Sequence, residues 1–88
     1  MNSYHVYILY SPSKDRFYVG CTSDSLDERL RRHNTNHNGF TGKSLDWTLV
    51  YHEHFFDKST ALKREKEIKA WKSRKRIMLL IDGSRKNS

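Results

Sequence analysis

The chain has 88 residues, 35% of them apolar, which supports one domain with a small core and leaves no room for a second. Seventeen Lys and Arg against ten Asp and Glu give a formal net charge of +7. That excess favours a polyanionic partner, nucleic acid ahead of an acidic membrane surface, over charge that serves solubility alone. Cys21 is the single cysteine, which excludes an internal disulfide and points to a reducing cytoplasm. No stretch reads as a signal peptide or a membrane span, the longest apolar run being Ile77-Met78-Leu79-Leu80-Ile81.

The first predicted element is a hairpin. Alternation along Tyr4-His5-Val6-Tyr7-Ile8-Leu9-Tyr10 puts His5, Tyr7 and Leu9 on one face, and Phe17-Tyr18-Val19-Gly20 puts Tyr18 with Gly20. The turn is Ser11-Pro12-Ser13-Lys14-Asp15-Arg16. If Tyr10 pairs with Phe17, Tyr7 stands opposite Gly20 with Tyr18 diagonally beside it, and two phenols flank an open floor suited to a phosphate. Cys21 is expected as a core residue at the strand end.

A helix follows over residues 26–33, with Ser25 and Glu28 spaced as a capping box. Leu26 and Leu30 anchor it on the sheet, while Arg29 and His33, also four apart, share a neighbouring edge that faces the tyrosines. Residues 34–43 form a polar, glycine-containing loop. Trp47 to Phe55 reads as a third strand by its β-branched and aromatic content. A second helix starts near Asp57 and runs to about Lys72, with an apolar stripe of Ala61, Leu62, Ile68 and Trp71 in which Glu65 takes an apolar position. A short third helix from Ser73 to Asp82 is closed by Gly83. The expected domain covers residues 1–83, with 84–88 a disordered tail. Repeats are absent.

In this order and spacing, His5-Val6-Tyr7, Tyr18-Val19-Gly20, Thr22, Leu26-Asp27-Glu28-Arg29-Leu30, His33, Phe40-Thr41 and Ala61-Leu62-Lys63-Arg64-Glu65 resemble the GIY-YIG nuclease family. The likeness is to its small stand-alone members and the nuclease domain of the bacterial excinuclease C subunit, over nearly the whole chain. His5 departs from the family glycine, and valines replace its isoleucines. The resemblance implies an α/β (α+β) fold: a small, mostly antiparallel three-stranded sheet flanked by helices, in the order β-β-α-β-α-α. It also implies a metal-dependent endonuclease that hydrolyses phosphodiester bonds in DNA, of a repair or processing type.

Cutting a phosphodiester needs a nucleophilic water, charge stabilisation on the phosphoryl oxygens and help for the departing 3′ oxygen. By the resemblance, Tyr7 or Tyr18 is the general base, Tyr7 being preferred, with its pKa expected to be lowered from about 10 by nearby positive charge. Arg29 would clamp the phosphate, because a guanidinium fork matches two oxygens and stays ionised. His33 would position water or phosphate. Glu65 would hold one Mg²⁺ or Mn²⁺ ion, with water and substrate oxygens completing the shell. Gly20, Thr22, Thr41, Lys43, Lys69 and Lys72 are the substrate-binding candidates, the lysines lying in the loop and in the basic run of residues 63–76.

Taken singly, these residues also fit bland roles, with Glu65 an ion-pair partner of Arg29 or Lys69. A zinc site is set aside, because His37 falls beyond the expected helix end and His52 and His54 lack a third ligand in view. The alternative function is a basic nucleic-acid-binding module with an idle site. Branched and damaged DNA are both candidate substrates, and a partner protein or self-association would supply selectivity.

Overall fold

The computed structural model describes residues 3–34 and 46–86. Six elements follow in order: β1 (Tyr4–Ser11), β2 (Arg16–Thr22), α1 (Leu26–Asn34), β3 (Thr48–Phe55), α2 (Lys58–Ala70) and α3 (Arg74–Lys86). The three strands form one antiparallel sheet in the order β2-β1-β3. β1 is therefore central, and Val6, Tyr7, Ile8 and Leu9 are buried in an unbroken run because both of its faces are covered. The even residues Val6 and Ile8, with Val19, pack against Ala61 and Ile68 of α2 and Ile81 of α3. The odd residues Tyr7 and Leu9 pack with Trp47, Tyr18, Leu49, and Leu26 and Leu30 of α1. α1 thus sits on one face and α2 with α3 on the other.

The hairpin register is the one counted from the turn: Tyr10 pairs with Phe17, and Tyr7 with Gly20. Asp15 closes the turn in the left-handed region (φ 53), a conformation that aspartate tolerates better than most residues. It is held there from outside, since the Tyr10 hydroxyl donates to its carboxylate at 2.6 Å and Arg74 of α3 pairs with the same group. Asp46 accepts from the Ser11 hydroxyl and the Ser13 backbone, both at 2.7 Å, tying the turn to the approach of β3. Across the base of residues 35–45, the Asn34 amide accepts from the Trp47 N–H (2.8 Å) and donates to the Trp47 carbonyl (2.9 Å).

Several local expectations change. Ser25 accepts from the Glu28 N–H at 3.1 Å, but the Glu28 carboxylate turns to Arg31 and Arg32, so only half of the capping box forms. Leu62 is exposed, because the buried stripe of α2 runs from Ala61 to Ile68 and Leu62 lies about 100° away from Ala61 around the helix. Helix α2 is capped by Asp57, which accepts from the Thr60 N–H at 2.9 Å, and it stops at Ala70 before Lys72 turns left-handed (φ 48). Gly83 does not close α3: it has no positive φ, and the helix continues through it to Lys86. No described helix is long and apolar enough to cross a membrane.

Arg64 of α2 forks onto Glu53 of β3 at 2.9–3.2 Å, and the Tyr51 hydroxyl donates to the same carboxylate. Burial alone would raise the Glu53 pKa, but Arg64 and Tyr51 outweigh it and hold it below the usual glutamate value. The carboxylate therefore stabilises the fold above its unfolded-state pKa of about 4.3, and this contribution is lost as pH falls through the folded value. Arg64→Met is expected to lower stability at pH 7 by about 1–3 kcal/mol. The deficit should shrink at pH 3, as read from urea midpoints; an equal deficit at both pH values would deny the ion pair its role.

Candidate active site

Gly20 faces Tyr7 across the ladder, and the phenol ring lies directly over it. A Cβ at Gly20 would stand 2.5 Å from Tyr7 Oη and 3.0 Å from the Tyr18 ring. The floor expected to be open for a phosphate is therefore filled by Tyr7 itself, which is 1% exposed. Thr22 is buried too, and its hydroxyl accepts from the Asp24 N–H at 3.0 Å, which shapes the turn into α1. Gly20 and Thr22, taken from sequence as substrate contacts, instead support the tyrosine and the helix start.

Helix α1 delivers Arg29 and His33 from successive turns to this one hydroxyl. Arg29 Nε donates to Tyr7 Oη at 3.2 Å, and His33 Nε2 stands 3.4 Å from the same oxygen. With Arg29 as donor, the phenol hydrogen is free to point at His33. Tyr18 also packs against the imidazole, with ring centroids 4.6 Å apart, and lies 6.3 Å from the Tyr7 ring. The expected lowering of the Tyr7 pKa does not occur. Burial raises it, the Arg29 hydrogen bond only partly offsets this, and the Glu65 charge adds to the rise. Burial and the Arg29 charge hold His33 below its ordinary value of 6.5, so the imidazole is neutral at pH 7.

Glu65 comes from α2, on the opposite face, and makes no hydrogen bond to Tyr7, Tyr18, Arg29 or His33 among the described residues. Its side chain is 16% exposed and pairs with Lys69 at 3.1 Å, Lys69 being 53% exposed. Of the sequence candidates, Tyr7, Tyr18, Arg29 and His33 are brought together, Glu65 acts on Tyr7 through its charge, and Thr41 and Lys43 lie outside the described residues.

Lys69 and Lys72 line a groove of about 900 Å³ that wraps the edge strand β2. Tyr18 and Trp47 form one wall, and Arg16, Arg74 and Lys14 add further positive charge. Sequence reading missed Trp47 as part of the site, although it is 2% exposed and packs edge-on to Tyr18. It also missed Lys14 and Arg16; two cations bracketing a turn beside an edge strand were the available signal. On β3, His54 pairs with His5 in register, so the third imidazole not seen from sequence is His5 itself. Even so, no three His, Cys, Asp or Glu among the described residues are placed to hold a metal.

An arginine-held tyrosine and a histidine thus stand beside a basic groove on a small antiparallel sheet, an arrangement suited to a phosphate-bearing ligand. The chain belongs to the GIY-YIG family, whose catalytic domain matches residues 3–78. It is 34% identical over 85 residues to a UPF0213 protein of Haloquadratum walsbyi, covering 96% of this chain and 94% of that one. A UPF0213 protein of Staphylococcus saprophyticus is 35% identical over 85 residues, covering 94% of this chain and 100% of that one. The solution NMR structure of the UPF0213 protein BH0048 from Bacillus halodurans matches with a TM-score of 0.58 at 28% identity, covering 91% of this chain and 83% of that one. GIY-YIG nucleases act on nucleic acid and generally use a divalent metal.

Two outcomes test the site geometry. Gly20→Ala is expected to lower stability by about 1–3 kcal/mol, because the new methyl meets the phenol in a filled space; an unchanged melting curve would mean that the ring moves aside freely. In Arg29→Met, both the His33 midpoint, read by NMR, and the Tyr7 midpoint, read by ultraviolet titration, should rise, since the lost guanidinium lowers each. Unchanged midpoints would place Arg29 away from the pair.

Proposed function

We propose that the chain is a metal-dependent endonuclease that hydrolyses phosphodiester bonds in DNA. The observation that carries this reading is the convergence of Arg29 and His33 on the Tyr7 hydroxyl. Tyr7 is the base, working as a relay. As the attacking water gives a proton to the phenol oxygen, the phenol proton passes to neutral His33, so a tyrosine with a raised pKa need not ionise beforehand. Arg29 meets Tyr7 through Nε, which leaves its terminal nitrogens for two phosphoryl oxygens and the charge that builds on them. Tyr18, partly exposed beside His33, orients the water or the phosphate.

Glu65 is the residue that would hold the Mg²⁺ or Mn²⁺ ion. A single carboxylate suits an ion that keeps most of its waters, and its partner Lys69 is exposed enough to turn away. Bound there, the ion would supply charge to the phosphoryl group and the departing 3′ oxygen. The basic groove with Lys69 and Lys72 carries the flanking backbone. The Glu65–Lys69 pair favours one second reading, a nucleic-acid-binding module with an idle site.

Supercoiled plasmid incubated with Mg²⁺, Mn²⁺ or EDTA tests both. Tyr7→Phe keeps the ring and is expected to fold normally while nicking about a hundredfold more slowly or worse; nicking at the parental rate would remove Tyr7 as base. Glu65→Gln is expected to lose metal-dependent nicking and keep DNA binding. If the parent binds DNA but never nicks it with either metal, the module reading wins.

A further inference from the structure

The sheet face that carries Tyr7 continues beyond it as a row of rings. His52 stands opposite Tyr7 and His54 opposite His5. Phe56 follows on the same side, with its ring edge-on to His54 at 4.6 Å. His52 and His54 are exposed, and Phe56 is 76% exposed, the most exposed of the large apolar side chains described. The His54 ring is fixed from behind, its Nε2 being 3.1 Å from the Ser3 hydroxyl.

Among the described residues, the strands bring no acid to this face: their residues there are His5, Tyr7 and Leu9, Tyr18, Gly20 and Thr22, and Leu49, His52 and His54. Glu53 points to the other face, where it binds Arg64. The patch is thus aromatic, its strand residues carry no acid, and His52 joins it in register to Tyr7, in a protein of net charge +7. Those features fit a nucleobase better than an aliphatic partner surface, since every base offers a π-face to stack.

We infer that His54 and Phe56 form a nucleobase-stacking subsite that takes an unpaired base of the strand whose phosphate lies at Tyr7. A base paired inside a duplex is buried between its neighbours and offers no face to Phe56, so the subsite selects DNA with unpaired nucleotides next to the cut. The inference rests on the nuclease reading and names the substrate structure for it.

The test is binding in EDTA, followed by fluorescence anisotropy, to a blunt duplex and to the same duplex carrying a single-stranded extension of about six nucleotides. The parent should prefer the extended DNA. Phe56→Ala should weaken that binding roughly tenfold, as expected for one lost base stack, and leave the duplex unaffected. Phe56→Trp should restore the preference and Phe56→Leu should not. If Phe56→Leu binds as tightly as the parent, the patch is merely apolar and the inference fails. It fails equally if Phe56→Ala changes the sedimentation of the protein alone from dimer to monomer, since a second copy then covers the patch. A parent that binds both DNAs without preference overturns the subsite and leaves the nuclease reading standing. A parent that binds neither brings down both.

Discussion

The site depends on a missing side chain. Because Gly20 has no Cβ, the Tyr7 phenol can lie flat across the neighbouring strand and bring its oxygen under α1, instead of standing up from the sheet. From that position one oxygen serves as the meeting point for an arginine and a histidine one helical turn apart. The same burial that fixes the geometry raises the phenol pKa and lowers that of the imidazole. A single packing constraint thus produces a neutral acid next to a neutral base, with a fixed positive charge against them. That state is poised to move a proton without first separating charge.

β1 transmits this constraint to the rest of the fold. Its odd residues build the site and its even residues build the core under α2 and α3. On the second face, the helices are held by polar contacts as well as by Ile68 and Ile81. Arg64 braces Glu53 and also meets Glu67, and the Trp71 ring lies 5.6 Å from the Arg64 guanidinium and 4.4 Å from that of Arg76. Within that network, burial and the Glu53 carboxylate push the Tyr51 hydroxyl up to about 12, so it stays a hydrogen-bond donor at any physiological pH. The groove around β2 draws on both faces, with Tyr18 and Trp47 from one and Ile68, Lys69 and Lys72 from the other. An edge strand is the only kind that such a groove can wrap.

Much of this was legible in the amino-acid order, and the reason is locality. The hairpin register followed from counting outward from one turn, which placed Tyr7 against Gly20; Arg29 and His33 followed from the four-residue spacing on a helix anchored by Leu26 and Leu30. The illegible parts needed distant information. That the phenol would fill the glycine floor depends on a rotamer and on α1 above it. The partner of His54 depends on the β1–β3 register, set across more than forty residues and interrupted by an irregularity at Ile8 and Leu9. Leu62 and Gly83 were misplaced for a different reason: helix phase and helix ends follow from packing and from φ, and a residue type only biases them.

The position of Trp47 gives the protein an optical reporter of its own site. The indole is shielded from water and lies 6.4 Å from the His33 ring and 6.3 Å from the Tyr18 ring, whereas Trp71 sits between guanidiniums on the far face. An imidazolium quenches a nearby indole more strongly than a neutral imidazole does. Trp47 emission therefore reports the protonation of His33, the imidazole set against the Tyr7 hydroxyl, and Trp71 serves as an internal reference within the same chain.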